Sequence, residues 1–177
     1  MSQQTKWAID PTHTEIGFKV KHMMFTNVSG KIATYTATIA TDGDNFSNAV
    51  IDFTADTDSI TTGNADRDAH LLSPDFFDAT QFPKLNFTAT SLTKVDDAEF
   101  ELTGNLTIHG VTKTVKLAAE FGGLMKDPWG NIKAGFNISG KINRKDFGLT
   151  WNAALETGGV LVSDEVRIIA EVQLIKQ

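Results

Sequence analysis

Residues 99–121 read EFELTGNLTIHGVTKTVKLAAEF. In the first half, Phe100, Leu102, Gly104, Leu106 and Ile108 share one face, and Glu99, Glu101, Thr103, Asn105 and Thr107 share the other. From Lys113 the alternation resumes with Val115, Leu117, Ala119 and Phe121. Between the two runs lies His109-Gly110-Val111-Thr112, the length of a hairpin turn. Side chains of a strand alternate between faces, so this pattern describes two antiparallel strands with one buried face.

The same period extends in both directions along the chain. It covers Thr14–Lys21 (Ile16, Phe18 and Val20 inward), Ala49–Thr57 (Ala49, Ile51, Phe53, Ala55) and Leu85–Leu92 (Leu85, Phe87, Ala89). It returns in Ile132–Ile142 and in Val166–Leu174. Lys31–Ala40 is Thr-rich and less regular, with Ala33, Tyr35, Ala37 and Ile39 on the more apolar face, and Lys6–Ile9 reads as a short opening piece. Eight principal strands with short links predict an antiparallel sheet, and a single apolar face leaves two solutions, a sandwich or a closed barrel. Closure removes the exposed edges, and an eight-stranded barrel has room for one small ligand. There is no sequence repeat, charge block or linker, so one domain over 1–177 is expected.

The composition narrows the function. The chain has 177 residues, with 16 Lys and Arg against 22 Asp and Glu, a net charge of −6 that argues against a nucleic-acid partner. Its 41% apolar and 21% charged content is that of a globular protein. Cys is absent, which excludes disulfides, thiolate nucleophiles and Cys-ligated metals. Twelve Phe against one Tyr favour dry apolar surface over rings with a polar handle. No apolar run has the length of a membrane span or a secretory signal, so no stable membrane insertion and a cytoplasmic location are expected, or a periplasmic one if a signal has been removed.

The long departure from strand pattern is Asp58–Lys84. Asp66–Leu72 is expected as about two helical turns, and Ser73-Pro74 as the N-cap and first residue of a second short helix carrying Phe76 and Phe77, with Phe82 behind. Three Phe on an insertion need apolar cover, and a barrel mouth would supply it. A second irregular stretch, 143–159, brings Arg144, Asp146, Phe147 and Trp151, with Gly158 and Gly159 as turn residues. His13, His22, His70 and His109 have no ligand-like spacing, so no metal site is expected. His109 belongs to a turn, whereas His22, at the end of an apolar strand, suits either a strand end or a cavity mouth. Arg67 suits either a surface ion pair with Asp66 and Asp68 or a ligand head group beside His70. Arg144 and Asp146 present a like choice between loop pair and ligand contact. Five Asn-x-Ser/Thr sequences, beginning at Asn27, Asn45, Asn86, Asn105 and Asn137, read as by-products of Thr-rich β sequence.

Several ordered motifs together resemble one family. They are DPTHTEIGFKVKHM (10–23), TGNADRDAHL (62–71), SPDFFDATQFPKLNF (73–87), GNLTIHGVTK (104–113), DPWG (127–130) and INRKDFGLTWN (142–152). The chain is similar to the YceI-like, lipocalin-like polyisoprenoid-binding proteins over nearly its whole length. The resemblance implies an eight-stranded antiparallel lipocalin-like barrel with a short helical insertion between strands 4 and 5, counted from Lys6–Ile9. It implies an apolar tunnel holding a long-chain lipid (a polyisoprenoid, quinone precursor or fatty amide) and a homodimer; no cofactor is expected, and no catalysis, because no activated nucleophile or recognisable pair of carboxylates is present. Carried onto this sequence, Phe18, Val20, Phe53, Phe87 and Phe136 are expected in the wall. Phe76, Phe77 and Phe82 are expected in a lid, and His22, Arg67, Arg144 and Trp151 near the head group. An enzyme acting on such a lipid, or a barrel packed solid and working through its surface, are the competing expectations.

Overall fold

The computed structural model describes residues 4–153 and 161–177. Among them are eleven strands: β1 (Gln4–Ile9), β2 (Glu15–His22), β3 (Thr26–Ile32), β4 (Tyr35–Asp42), β5 (Asn45–Asp56), β6 (Ile60–Thr61), β7 (Lys84–Lys94), β8 (Glu99–Ile108), β9 (Val111–Lys126), β10 (Ile132–Asn143) and β11 (Val162–Lys176). One α-helix, α1 (Ala65–Leu72), interrupts them. All pairings are antiparallel, in the order β1-β4-β5-β7-β8-β9-β10-β11, and β1 pairs back onto β11. The sheet is therefore a closed eight-stranded barrel.

The strand count of eleven and the barrel count of eight are reconciled by two breaks. β1 and β2 lie end to end along the same edge of β11, with Trp7 opposite Lys176 and Val20 opposite Val166. A 3₁₀ turn at Pro11–His13 separates them. β4 and β3 follow them at the same level, β1 pairing with β4 and β2 with β3. The single strand expected over 31–40 is thus two pieces interrupted at Ala33 and Thr34. Small β6 adds only an extension on β3.

The 99–121 hairpin follows its sequence pattern: Phe100, Leu102, Leu106 and Ile108 are buried on β8, and Leu117 and Ala119 on β9. Elsewhere the phase shifts. A bulge between Ala89 and Ser91 puts Leu92, not Ser91, inward at 3% exposure. On β5, left-handed Asn48 lets Phe46 and Ala49 both face in.

One end of the barrel is sealed by rings. Phe46 stands 5.0 Å from Trp7, 5.0 Å from Phe136 and 5.5 Å from Phe121, while Phe100 packs on both Phe121 and Phe136. The Trp7 indole N–H donates to Thr41 Oγ1 at 2.8 Å, so its only polar atom is satisfied within this plug. The other end carries the β2–β3 and β8–β9 turns, α1, and the 3₁₀ turn Arg144–Phe147.

The helical insertion differs from expectation in one respect. Ser73 ends α1 rather than starting a second helix: its Oγ donates back to the His70 carbonyl at 2.6 Å, and Pro74 follows. Turns then take over, with the Phe76 N–H donating to Ser73 O and the Phe77 N–H to Leu71 O. A Ser-Pro pair serves either as a helix start or a helix stop. Here the free carbonyls at the end of α1 decide the matter, because the amides of Phe77 and Ala79 are needed to satisfy them.

Candidate functional site

The barrel encloses a cavity of about 390 Å³. Its wall is hydrocarbon along most of its length, from Phe46 and Phe136 at the sealed end through Ile39, Ile51, Leu102, Leu117 and Ile168. Several inward side chains, Phe18, Val20 and Val172 among them, are only half buried, because they face this lumen rather than one another. The barrel is hollow, which excludes the solid-core expectation.

Polar side chains enter the lining only at the open end. They are Lys21, His22, Thr62, Arg67, His70, Arg144 and Trp151. The loop before α1 sets the first group. Asn64 caps the helix, its side-chain oxygen accepting from the Arg67 N–H at 3.0 Å. Arg67 then folds back: its Nε donates to Thr62 Oγ1 at 2.7 Å and its Nη2 to Thr62 O at 3.0 Å. Asp68 fastens the same loop by accepting from the Thr62 N–H and hydroxyl and from the Thr61 hydroxyl, contacts led by the Thr62 side chain that hold its carboxyl below the usual range. Arg67 thus forms neither of the anticipated ion pairs with Asp66 or Asp68, and its Nη1 is directed by no protein acceptor among the described residues.

His70, one turn further along α1, sits among rings. It is 4.7 Å from Trp151 and 5.0 Å from Phe76, nearly edge-on to both, and its Nε2 meets Asp75 Oδ2 at 3.0 Å. Phe76 is 7% exposed and Phe77 half buried, and both line the cavity beneath the helix. His22, half buried, ends β2 opposite Val162.

Arg144 resolves differently from either sequence reading. It is 3% exposed, and its guanidinium spends its donors on main-chain carbonyls: Nε to Ser163 at 2.9 Å, Nη1 to Leu149 and Trp151, and Nη2 to Val162 at 3.3 Å. Its acidic neighbour is Asp164 at 3.9 Å, not Asp146. Burial pulls its pKa downward against the opposing Asp164 charge. Arg144 therefore clamps the Trp151 segment against β11 and offers the cavity a positive charge more than a free N–H.

Eleven of the twelve anticipated residues line the cavity: Phe18, Val20, His22, Phe53, Arg67, Phe76, Phe77, Phe87, Phe136, Arg144 and Trp151. Phe82 does not. Its ring packs 4.7 Å from His109 in the β8–β9 turn, over Gly110, outside the lumen. Phe82 follows the Asp78–Gln81 turn, its N–H donating to Asp78 O at 2.9 Å, and its ring covers the β8–β9 turn instead. Sequence reading passed over Thr62 and Lys21, which line the mouth, and Phe46, which forms the floor. Phe46 lay before the recognised alternation because the Asn48 irregularity breaks the period. Gly158 and Gly159 lie outside the described residues.

Among the described residues no group of three His, Asp or Glu is placed to hold a metal, and no helix is long and apolar enough to cross a membrane.

A closed antiparallel barrel with an apolar lumen, one aromatic floor and one polar mouth defines a lipocalin-like barrel protein. A model of the YceI-like domain matches residues 7–174, and the chain belongs to that family. Protein YceI of Salmonella newport (strain SL254) is 37% identical over 165 residues, 93% of this chain and 83% of that protein. The YceI protein of Campylobacter jejuni superposes with a TM-score of 0.77 at 37% identity, covering 95% of this chain and 96% of that one. A polyisoprenoid binding domain from Saccharophagus degradans shares the fold at a TM-score of 0.68 and 12% identity, covering 97% and 98% of the two chains.

Proposed function

We propose that this protein binds a single long-chain amphiphile, tail in the lumen and head group at the mouth, and stores or delivers it without chemical change. The observation that carries the reading is the one-sided distribution of polarity: a cavity of about 390 Å³ is apolar except at its mouth, which Lys21, His22, Thr62, Arg67, His70 and Arg144 line. Each methylene moved from water into such a wall gains about 0.8 kcal/mol, so a chain is held without specific contacts along its length. The few polar groups at one end then fix its direction. The Saccharophagus neighbour, described as polyisoprenoid-binding, supports an isoprenoid among the candidate tails.

Native mass spectrometry of freshly purified protein, followed by organic extraction, tests the reading. One long-chain lipid per chain is the expected result. A ligand-free protein that also fails to take up the fluorescent fatty acid cis-parinaric acid would overturn it.

A further inference from the structure

We propose that the β2–β3 turn, Met23-Met24-Phe25, docks the tunnel mouth onto a lipid bilayer bearing anionic head groups. Two unfavourable features coincide in these residues. The first is exposure: Met23, Met24 and Phe25 are 42%, 60% and 86% exposed, three consecutive large apolar side chains in water. The second is backbone conformation. Met23 and Met24 have φ of 52° and 65°, and the Phe25 N–H donates to His22 O at 3.2 Å, so the two methionines occupy the central positions of a type I′ turn. Those positions favour Asn-Gly, because a Cβ is crowded at positive φ. A polar Asn-Gly turn would serve the hairpin better on both counts, so the apolar tip points to a use outside the folded chain.

Its position indicates the partner. The tip is the rim of the tunnel: the residues just before it, Lys21 and His22, line the cavity, and the Met23 N–H bonds to the carbonyl of Leu161, another lining residue. Charge supports the same partner. Lys19 and Lys21 stand close before the tip on β2, whereas Lys31 lies at the far end of the hairpin, opposite Gly17, and pairs with Glu15 at 3.4 Å, in a chain whose net charge is −6. No Asp or Glu lines the cavity, and Asp68, Asp75 and Asp164 near its mouth are engaged by Thr61 and Thr62, His70, and Arg144 with Lys145 respectively, while Asp66 of α1 and Asp146 of the Arg144–Phe147 turn have no ion-pair partner among the described residues. Apolar side chains that insert between acyl chains, with two lysines just behind them, suit the boundary of an anionic membrane. Docking there would open the lumen directly to the lipid phase. The purpose of docking rests on the tunnel reading, but attachment itself is measurable without any tunnel ligand.

The test is flotation of the full chain with vesicles of phosphatidylcholine alone and of phosphatidylcholine mixed with phosphatidylglycerol. The wild type should float with the anionic vesicles and less so as salt is raised. The double variant Met24→Ser/Phe25→Ser should lose binding by about tenfold or more. Its urea midpoint should match the wild type, since both side chains face solvent. Trp129→Ser removes an apolar group that is 83% exposed at the opposite end of the barrel and should bind as the wild type does. Absence of flotation, or equal loss in the Trp129 and tip variants, would overturn the proposal. So would a wild-type dimer by analytical ultracentrifugation that the double variant abolishes without any vesicle binding, which would assign the tip to a contact between copies.

Discussion

Asp10 joins the two halves of the first barrel strand. One carboxylate oxygen accepts from the Thr12 N–H at 3.1 Å and hydroxyl at 2.8 Å, while the other meets His13 Nδ1 and Lys133 Nζ, each at 2.9 Å. The His13 contact, then the Lys133 and Thr12 contacts, hold its carboxyl well below the usual carboxylate range. A carboxyl depressed in the folded state contributes stability above its unfolded value, about 3.9, and loses it as pH falls through the folded value. Asp10→Asn should therefore cost roughly 2–3 kcal/mol at neutral pH. The gap from wild type should shrink as pH is lowered beneath about 4, read from urea midpoints across pH. Arg144 gives a second expectation. Lysine has no fork of donors to serve the carbonyls of Leu149, Trp151, Val162 and Ser163, so Arg144→Lys should cost about 3 kcal/mol and loosen the Trp151 side of the mouth, measured by denaturation and Trp fluorescence. The sequence marks Asp10, His13 and Arg144 as motif residues but conceals their partners: Lys133 lies 123 positions from Asp10, and the acceptors of Arg144 are main-chain atoms that no side-chain pattern records.

At the scale of elements, period two made the strands legible and the bulges were not. Leu85, Phe87 and Ala89 follow the alternation, yet Leu92 points inward in the opposite phase because the backbone at Thr90 inserts one residue. Nothing in the side chains of SLTK announces that insertion. Gly104 shows what such packing asks of the sequence: a Cβ there would meet the Phe87 ring at 2.5 Å and the Thr88 carbonyl at 2.6 Å. The carbonyl belongs to the β7–β8 ladder and cannot withdraw, so Gly104→Ala should lower stability by about 1–3 kcal/mol with the β-sheet circular dichroism signal retained. Under the proposed function the helical insertion would serve as a lid. α1 has eight residues, too few for independent stability, and Phe76 and Phe77 fasten it over the lumen. In Phe76→Ala/Phe77→Ala, a bound long-chain ligand should leave faster, with a smaller fall in urea midpoint than the 3–5 kcal/mol per ring that a core Phe costs. A large fall in midpoint with an unchanged off-rate would make both rings ordinary core.

For the molecule as a whole, selectivity under the proposed function would stem from the difference between the barrel's two ends. The mouth combines α1, Trp151 and the β2–β3 turn, elements joined to the barrel by loops, whereas the floor is built from Phe46 and Phe136 on paired strands, backed by Trp7, Phe100 and Phe121. A tail that enters at the mouth meets an aromatic stop, so the floor sets the greatest length that can be buried. Each methylene beyond that length stays in water or forces the lid open and forfeits about 0.8 kcal/mol. Phe46→Ala should deepen the lumen at its sealed end, at a stability cost of about 3–5 kcal/mol. In competition among straight-chain fatty acids of increasing length, monitored by native mass spectrometry, the variant should prefer longer chains than the wild type. Phe77→Ala, at the other end, should shorten residence for every chain and leave the preferred length unchanged. Should Phe46→Ala alter affinity for all lengths by the same factor, the floor does not measure the tail, and length selection resides at the mouth.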